Sequence, residues 1–242
     1  MKILLIRHAD PDYEADSLTP QGWKEAALLA ERISAMDICK FYVSPLGRAK
    51  DTASLTLQKM HRQARECPWL REFDPQIRRP DKQEPSIAWD WLPQDWTTVD
   101  AFYHKNEWMY QEAMVQGEVA VQYQWVTQSL DQVLAEHGYV REGNYYRAVR
   151  SHMDTIAFFC HFGLECVLIS HLIGVSPMVL WHGMCAAPSS VTTLVTEERR
   201  QGIACWRMGS FGDVSHLLCA GEQPSFAARF CECYENADER HD

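Results

Sequence analysis

The chain lacks any CxxC pair. Its nine cysteines are scattered and odd in number, which argues against a disulfide framework or a zinc knuckle and fits free thiols in a reducing compartment. The closest pair, Cys231 and Cys233 with His241 nearby, reads as packing in an amphipathic tail, and no metal is assigned. A long charge-free apolar run is also missing, so no membrane span is expected. The apolar part of the opening "MKILLIRHAD" is too short and too soon charged for a secretory signal, and a cytoplasmic location is expected. Positive charge is scarce: 23 Lys and Arg face 33 Asp and Glu, for a net charge of -10. A nucleic acid partner is therefore not expected, because binding a phosphate backbone requires a basic surface. Any anionic substrate has to be held by a local cluster of arginines. The chain has no internal repeat and no low-complexity tract.

What is present suffices for one large domain with a real core, or a domain with a sizeable insertion: 242 residues, 46% of them hydrophobic and 23% charged. Lys2 to Ile6 is a short aliphatic run that predicts a buried β-strand, with Arg7 and His8 at its C-terminal end. Ligands bind at that edge of open α/β sheets, and an arginine beside a histidine offers an anion clamp and a titratable nucleophile. The same pair also reads as a solvated loop. "SLTPQGWKEAALLAERISAM" predicts a helix with Thr19 as N-cap and Pro20 at its first position. Its buried stripe is expected at Trp23, Ala27, Ala30 and Ile33. "ICKFYV" predicts a second strand, and the Ser-Pro turn of "SPLGRAKDTA" leads into another helix. Alternating strand and helix is the grammar of a parallel sheet covered on both faces.

Residues 74–115 break this grammar. They carry Trp89, Trp91, Trp96 and Trp108 with Phe102, Tyr103 and Tyr110, interleaved with Pro80, Pro85 and Pro93. The segment is expected to be a lid of mixed loop and helix inserted in a single domain spanning residues 1–242. Its aromatics read either as a wall for the organic part of a substrate or as a cluster that holds the insertion together. Arg78, Arg79 and Lys82 at its start read as a second anion site or as a solvated face. A long helix, "VAVQYQWVTQSLDQVLAEHG", returns to the core and ends at Gly138. "TIAFFCHFG" predicts an apolar strand running into His161 and Gly163, with a helix through "LECVLISHLIG". "SSVTTLVTEERRQGIACWRM" alternates as a β-hairpin turning near "EERRQG", and "SFAARFCECY" predicts a closing amphipathic helix.

Three strand ends thus offer related chemistry: Arg7-His8, Arg48 after "SPLG", and His161 after "AFFC". Two arginines grip phosphoryl oxygens through forked hydrogen bonds, and a histidine attacks phosphorus to give a covalent intermediate, a site for phosphoryl transfer without metal. With "LIRHA", "LTPQG", "SPLGRAKDTA", His161-Phe-Gly163 and "SSVTTL" in that order, the chain resembles the histidine phosphatase superfamily, the group that includes phosphoglycerate mutase. The resemblance covers most of the chain outside the aromatic insertion, with RHA standing where the family usually has RHG.

The resemblance implies a three-layer α/β/α sandwich with a mostly parallel central sheet, and no cofactor. It implies that His8 is phosphorylated, that Arg7 and Arg48 bind the phosphoryl group, and that His161 assists them. It makes Glu72 in "CPWLREF" the general acid, with Asp74 as runner-up; the other branch of the family has an Asp where Phe162 stands. Ala9 adds one methyl group beside the nucleophile and removes no functional group. "LISHLIG" mimics a second strand ending in histidine. Its apolar run starts too soon after "HFG", however, so His171 is expected on a helix, as is His182. The expected activity is metal-independent hydrolysis of a small phosphomonoester through a phosphohistidine. The alternatives are a mutase that returns the phosphoryl group to a bound acceptor, and a member of the fold that binds phosphate ligands without turnover.

Overall fold

The computed structural model describes residues 1–227 and 229–241. Eight strands build the central sheet: β1 (Lys2–Arg7), β2 (Lys40–Val43), β3 (Ala64–Glu66), β4 (Tyr139–Glu142), β5 (Tyr145–Ala148), β6 (Thr155–Cys160), β7 (Val191–Arg200) and β8 (Ile203–Asp213). Their order is β3-β2-β6-β1-β7-β8-β5-β4. Pairing is parallel from β3 to β1 and antiparallel beyond, so six strands point one way while β7 and β5 oppose them. β1 and β6 are near-continuous apolar runs because both faces of the sheet are covered.

Alternate residues of β1 serve the two faces. Leu4 and Ile6, with Phe41 and Phe159, pack under α1 (Pro20–Ser34) and α2 (Gly47–Met60). Ile3 and Leu5, with Phe158, face α3 (Val119–Glu136), α4 (Phe162–Ile173) and α5 (Pro177–Gly183). The result is the α/β/α sandwich. Among the described residues no helix is long and apolar enough to cross a membrane.

The start of α1 is as expected, with Thr19 Oγ1 accepting from Gly22 N at 3.0 Å and Pro20 in the first turn. Its buried face is as expected at Ala30 and Ile33 only. Trp23 and Ala27 are exposed, and Gly22, Ala26, Leu29, Ala30 and Ile33 turn inward together with Glu25. The small residues win that face because the helix start lies against the backbone of Asp10, where a side chain on Gly22 would overlap the carbonyl. The hairpin of β4 and β5 was not expected, although "REGNYY", with Gly143 at φ +60°, is a turn flanked by strand formers. The expected closing helix at "SFAARFCECY" does not form: its described residues are coil, bend and turn, and Ala228 lies outside the described residues. That segment has no sheet beneath it to bury an apolar stripe, and most of its side chains are exposed.

Candidate active site

Parallel strands β2, β6 and β1 end at one edge of the sheet. Val43 is in register with Phe159 and Cys160 with Arg7, so the residues that follow, Ser44, His161 and His8, stand side by side. Ladder bonds continue into them, from His8 N to Cys160 O (3.0 Å) and from Ser44 N to Phe159 O (2.9 Å). The rings of His8 and His161 lie 5.1 Å apart between centroids, and both are buried.

Hydrogen bonds fix which nitrogen of each ring carries its proton. His8 Nδ1 is 2.8 Å from Ala9 O; a carbonyl only accepts, so Nδ1 holds the proton and Nε2 keeps its lone pair. Burial, and then the neighbouring Arg7, hold His8 well below the usual imidazole pKa, so the ring is neutral. His161 Nε2 is 2.7 Å from Ser44 Oγ, which already accepts from Leu46 N (3.2 Å). The hydroxyl has a second lone pair, but its proton has no other acceptor among the described residues, so it donates to Nε2, which leaves the ring proton on Nδ1. That N–H is buried and has no partner among the described residues, a donor waiting for an acceptor. Burial, followed by His8, pushes the pKa of His161 well down, so it too is neutral.

The arginines are held by different devices. Arg7 continues β1, donates Nη1 to Ala186 O and lies 5.7 Å from the Phe162 ring. Arg48, in the first turn of α2, pairs with Asp16 Oδ1 at 2.7 Å and lies over Tyr13. The other oxygen of Asp16 accepts from Gly47 N (2.7 Å) and caps α2, whose own N-cap Leu46 offers no side-chain bond. A Cβ on Gly47 would overlap Asp16 O, so only glycine admits this contact.

Glu72 reaches the site from the loop after β3. Its Oε1 accepts from Phe73 N (2.8 Å) and Leu164 N (3.0 Å), capping α4 at the point where His161 leaves β6. Burial nevertheless raises its pKa. With Oε1 taken by two amides, the acid proton belongs on Oε2. Gly163 permits this approach: a Cβ there would meet the Trp89 indole nitrogen and Glu72 Oε1.

Arg7, Arg48 and Glu72 line one cleft of about 680 Å³. His8 and His161, both buried, are not part of its wall, although Arg7 and Arg48 beside them are; the remaining sequence candidates lie elsewhere. Asp74 pairs with Arg71 at 3.1 Å. His171 is on α4, with Nε2 2.9 Å from Asp131 Oδ2. Arg79 is buried between Asp81 and Asp90, and neither Arg78 nor Lys82 reaches the cleft wall. The aromatic segment divides between its two readings. Trp89, Trp91 and Trp96 line the cleft, joined by Trp181 and His182 of α5, whereas Trp108 is buried against Tyr123 and Trp181 and Phe102 against Trp91. Tyr103 and Tyr110 are exposed.

Residues 3–208 match the model of the histidine phosphatase superfamily, branch 1. The chain belongs to this superfamily. Similar solved structures include "Mycobacterial hydrolase 1", 18% identical with a TM-score of 0.57 over 88% of this chain and 98% of that one. A phosphoserine phosphatase mutant from Entamoeba histolytica in complex with phosphoserine is 18% identical, with a TM-score of 0.56 over 89% and 98%. A mycobacterial glucosyl-3-phosphoglycerate phosphatase is 15% identical, with a TM-score of 0.57 over 87% and 98%. No curated protein matches the sequence.

Ser44, Asp16 and the buried Glu165 of this histidine phosphatase escaped the sequence reading. Ser44 begins the "SPLGRA" motif, so its position was in view although its bond to His161 was not. Asp16 acts through a contact 32 residues away. Glu165, in the first turn of α4, is fully buried, and burial raises its pKa to about 7. An unfolded glutamate titrates near 4.3, so the folded chain holds the extra proton between the two values. Stability from this group is complete below the unfolded pKa and is lost as pH rises through 7. Glu165→Gln is expected to flatten that fall, by an amount on the order of a few kcal/mol at pH 8. Thermal melts from pH 4 to 8 check this; an unchanged slope in the variant would show that the carboxyl titrates normally.

Proposed function

We propose that the protein hydrolyses small organic phosphomonoesters through a phosphohistidine on His8, without a metal. The observation that carries this reading is the neutral His8, its Nε2 lone pair free, beside a His161 whose buried N–H awaits an acceptor. Nε2 attacks phosphorus in line as the ester P–O bond breaks. Glu72 gives the proton on Oε2 to the departing alkoxide. Arg7, Arg48 and His161 Nδ1–H meet the charge on the transferring oxygens, the task a metal performs elsewhere. A water molecule then gives its proton to the Glu72 carboxylate and attacks phosphorus, and the P–N bond breaks with its electron pair returning to His8.

The named activities of the solved relatives, a phosphoserine phosphatase and a glucosyl-3-phosphoglycerate phosphatase, support hydrolysis of a phosphate ester of a small molecule. The segment 74–115 serves as a cap within one domain, supplying Trp89, Trp91 and Trp96 to the cleft wall. Cytoplasmic residence fits an odd number of scattered cysteines.

The test is a screen of sugar phosphates, nucleotides, phospho-amino acids and aryl phosphates in EDTA, with a phosphoglycerate mutase assay beside it. Free phosphate is expected to be released at the same rate with and without chelator. Activity lost in EDTA and restored only by a divalent ion would overturn the metal-free mechanism, and phosphoryl return to an acceptor without net hydrolysis would make the protein a mutase.

A further inference from the structure

The chain's C-terminal segment brings two more arginines to the same cleft. Ala227, Arg229, Phe230 and Arg240 all contribute to its wall. The segment is tied down where it arrives. Ser225 N donates to Glu25 Oε1 (3.3 Å) and Ser225 Oγ to Asp10 Oδ1, while Asp10 N donates to Glu25 Oε2 (3.0 Å). Asp10 follows directly on His8 and Ala9, so the tail is fastened to the loop that carries the nucleophile. Cys231 N bonds Arg240 O (2.8 Å), folding the tail back so that the Arg240 guanidinium stacks 3.9 Å from the centre of the Phe230 ring.

The charged residues beyond Phe230 are mostly acidic, Glu232, Glu235, Asp238, Glu239 and Asp242 against Arg240, yet the charged tail residues that line the cleft are its two arginines. Four guanidinium groups therefore face one cleft in a chain of net charge -10. The lining carboxyls do not offset them: burial raises the pKa of Glu72, and Asp90 lies 3.4 Å from the buried Arg79. One phosphoryl group at His8 accounts for Arg7 and Arg48. Among the described residues the ion-pair partner of Arg229 is Glu232, in a bridge whose two side chains are 48% and 77% exposed, and its guanidinium also lies 4.5 Å from the Phe226 ring centre; such an exposed bridge yields readily to a better anion. The wall also includes Trp89, Trp96 and Phe162, and the cleft's volume of about 680 Å³ exceeds what a phosphate ester of a few atoms fills.

We propose that Arg229 and Arg240 form a second anion-binding set in this cleft, so that the preferred substrates are phosphomonoesters with an aromatic or apolar body and a distal carboxylate or phosphoryl group. This deepens the proposed phosphatase reading and rests on it for the phosphoryl end. An arginine fork suits either distal group because both present paired oxygens.

The experiment titrates the full chain by calorimetry with phenylphosphonate and biphenylphosphonate and with their 4- and 4′-carboxylated forms. At least one carboxylated ligand is expected to bind about 10-fold more tightly than its parent. Arg229→Gln with Arg240→Gln should erase that preference and leave the parents' affinity within about twofold, whereas Arg229→Lys with Arg240→Lys should keep part of it. Wild-type protein without the preference, or a Gln double variant that retains it, would overturn the subsite. The matching phosphates, assayed for turnover, separate this from the catalytic reading. Preference in binding with no hydrolysis of either ester removes the phosphatase reading and leaves the subsite; hydrolysis without preference does the reverse.

Discussion

His8→Ala is expected to lower turnover by on the order of 10⁴-fold or more, since removal of a nucleophile leaves only binding and charge stabilisation. It should also abolish covalent labelling. Wild-type protein quenched in alkali after exposure to a radiolabelled ester should carry phosphate that is stable to base and labile to acid, as a phosphoramidate is. The variant should carry none. The geometry makes the demand specific to one atom. Ala9 O holds the Nδ1 proton, so attack has to come from Nε2, and burial together with Arg7 keeps the ring neutral and nucleophilic well below pH 7. His8→Asn, which retains a polar side chain of similar reach, is expected to be as inactive as the alanine variant. Label recovered on serine or cysteine, or a His8→Ala protein that still turns over, would sink the phosphohistidine mechanism.

The parts of this architecture that the sequence announced are those set by local physics. An aliphatic run with no room for a helix made β1, a threonine followed by proline opened α1, and Gly138, at φ +91°, closed α3. Arg7, His8, Arg48 and His161 were legible because each follows a strand or turn that announces itself. What stayed hidden depends on contacts between distant segments. Both faces of α1 show acceptable spacing of apolar residues, and the close approach of Asp10 to Gly22 decides between them. Asp16 looks like any loop aspartate until α2 is brought against it, where Gly47 and Arg48 outweigh its burial and hold its pKa below the usual range. The tail has an amphipathic pattern on paper. Its anchoring through Ser225 to Glu25, 200 residues earlier, decides its course instead.

The same contrast between local pattern and assembled site separates the two histidines of "HFGLECVLISH". His161→Ala is expected to cost on the order of 10²–10³ in kcat, the usual loss when one donor to the transition state is removed. Its Nδ1–H is a buried donor without a partner among the described residues, and Ser44 aims it by holding Nε2. His161→Gln, which can still donate, should recover part of the loss. His171 sits on α4 with Nε2 against Asp131, on the side that packs with α3 and away from the cleft. His171→Ala should therefore change kcat by no more than a few fold, with its main effect on the melting temperature, because it leaves Asp131 to Tyr146 and Arg141 alone. Steady-state kinetics and thermal melts on the same preparations separate these effects. A well-folded His171→Ala protein without turnover, beside an active His161→Ala, would move the donor to α4 and remove Ser44 from the mechanism.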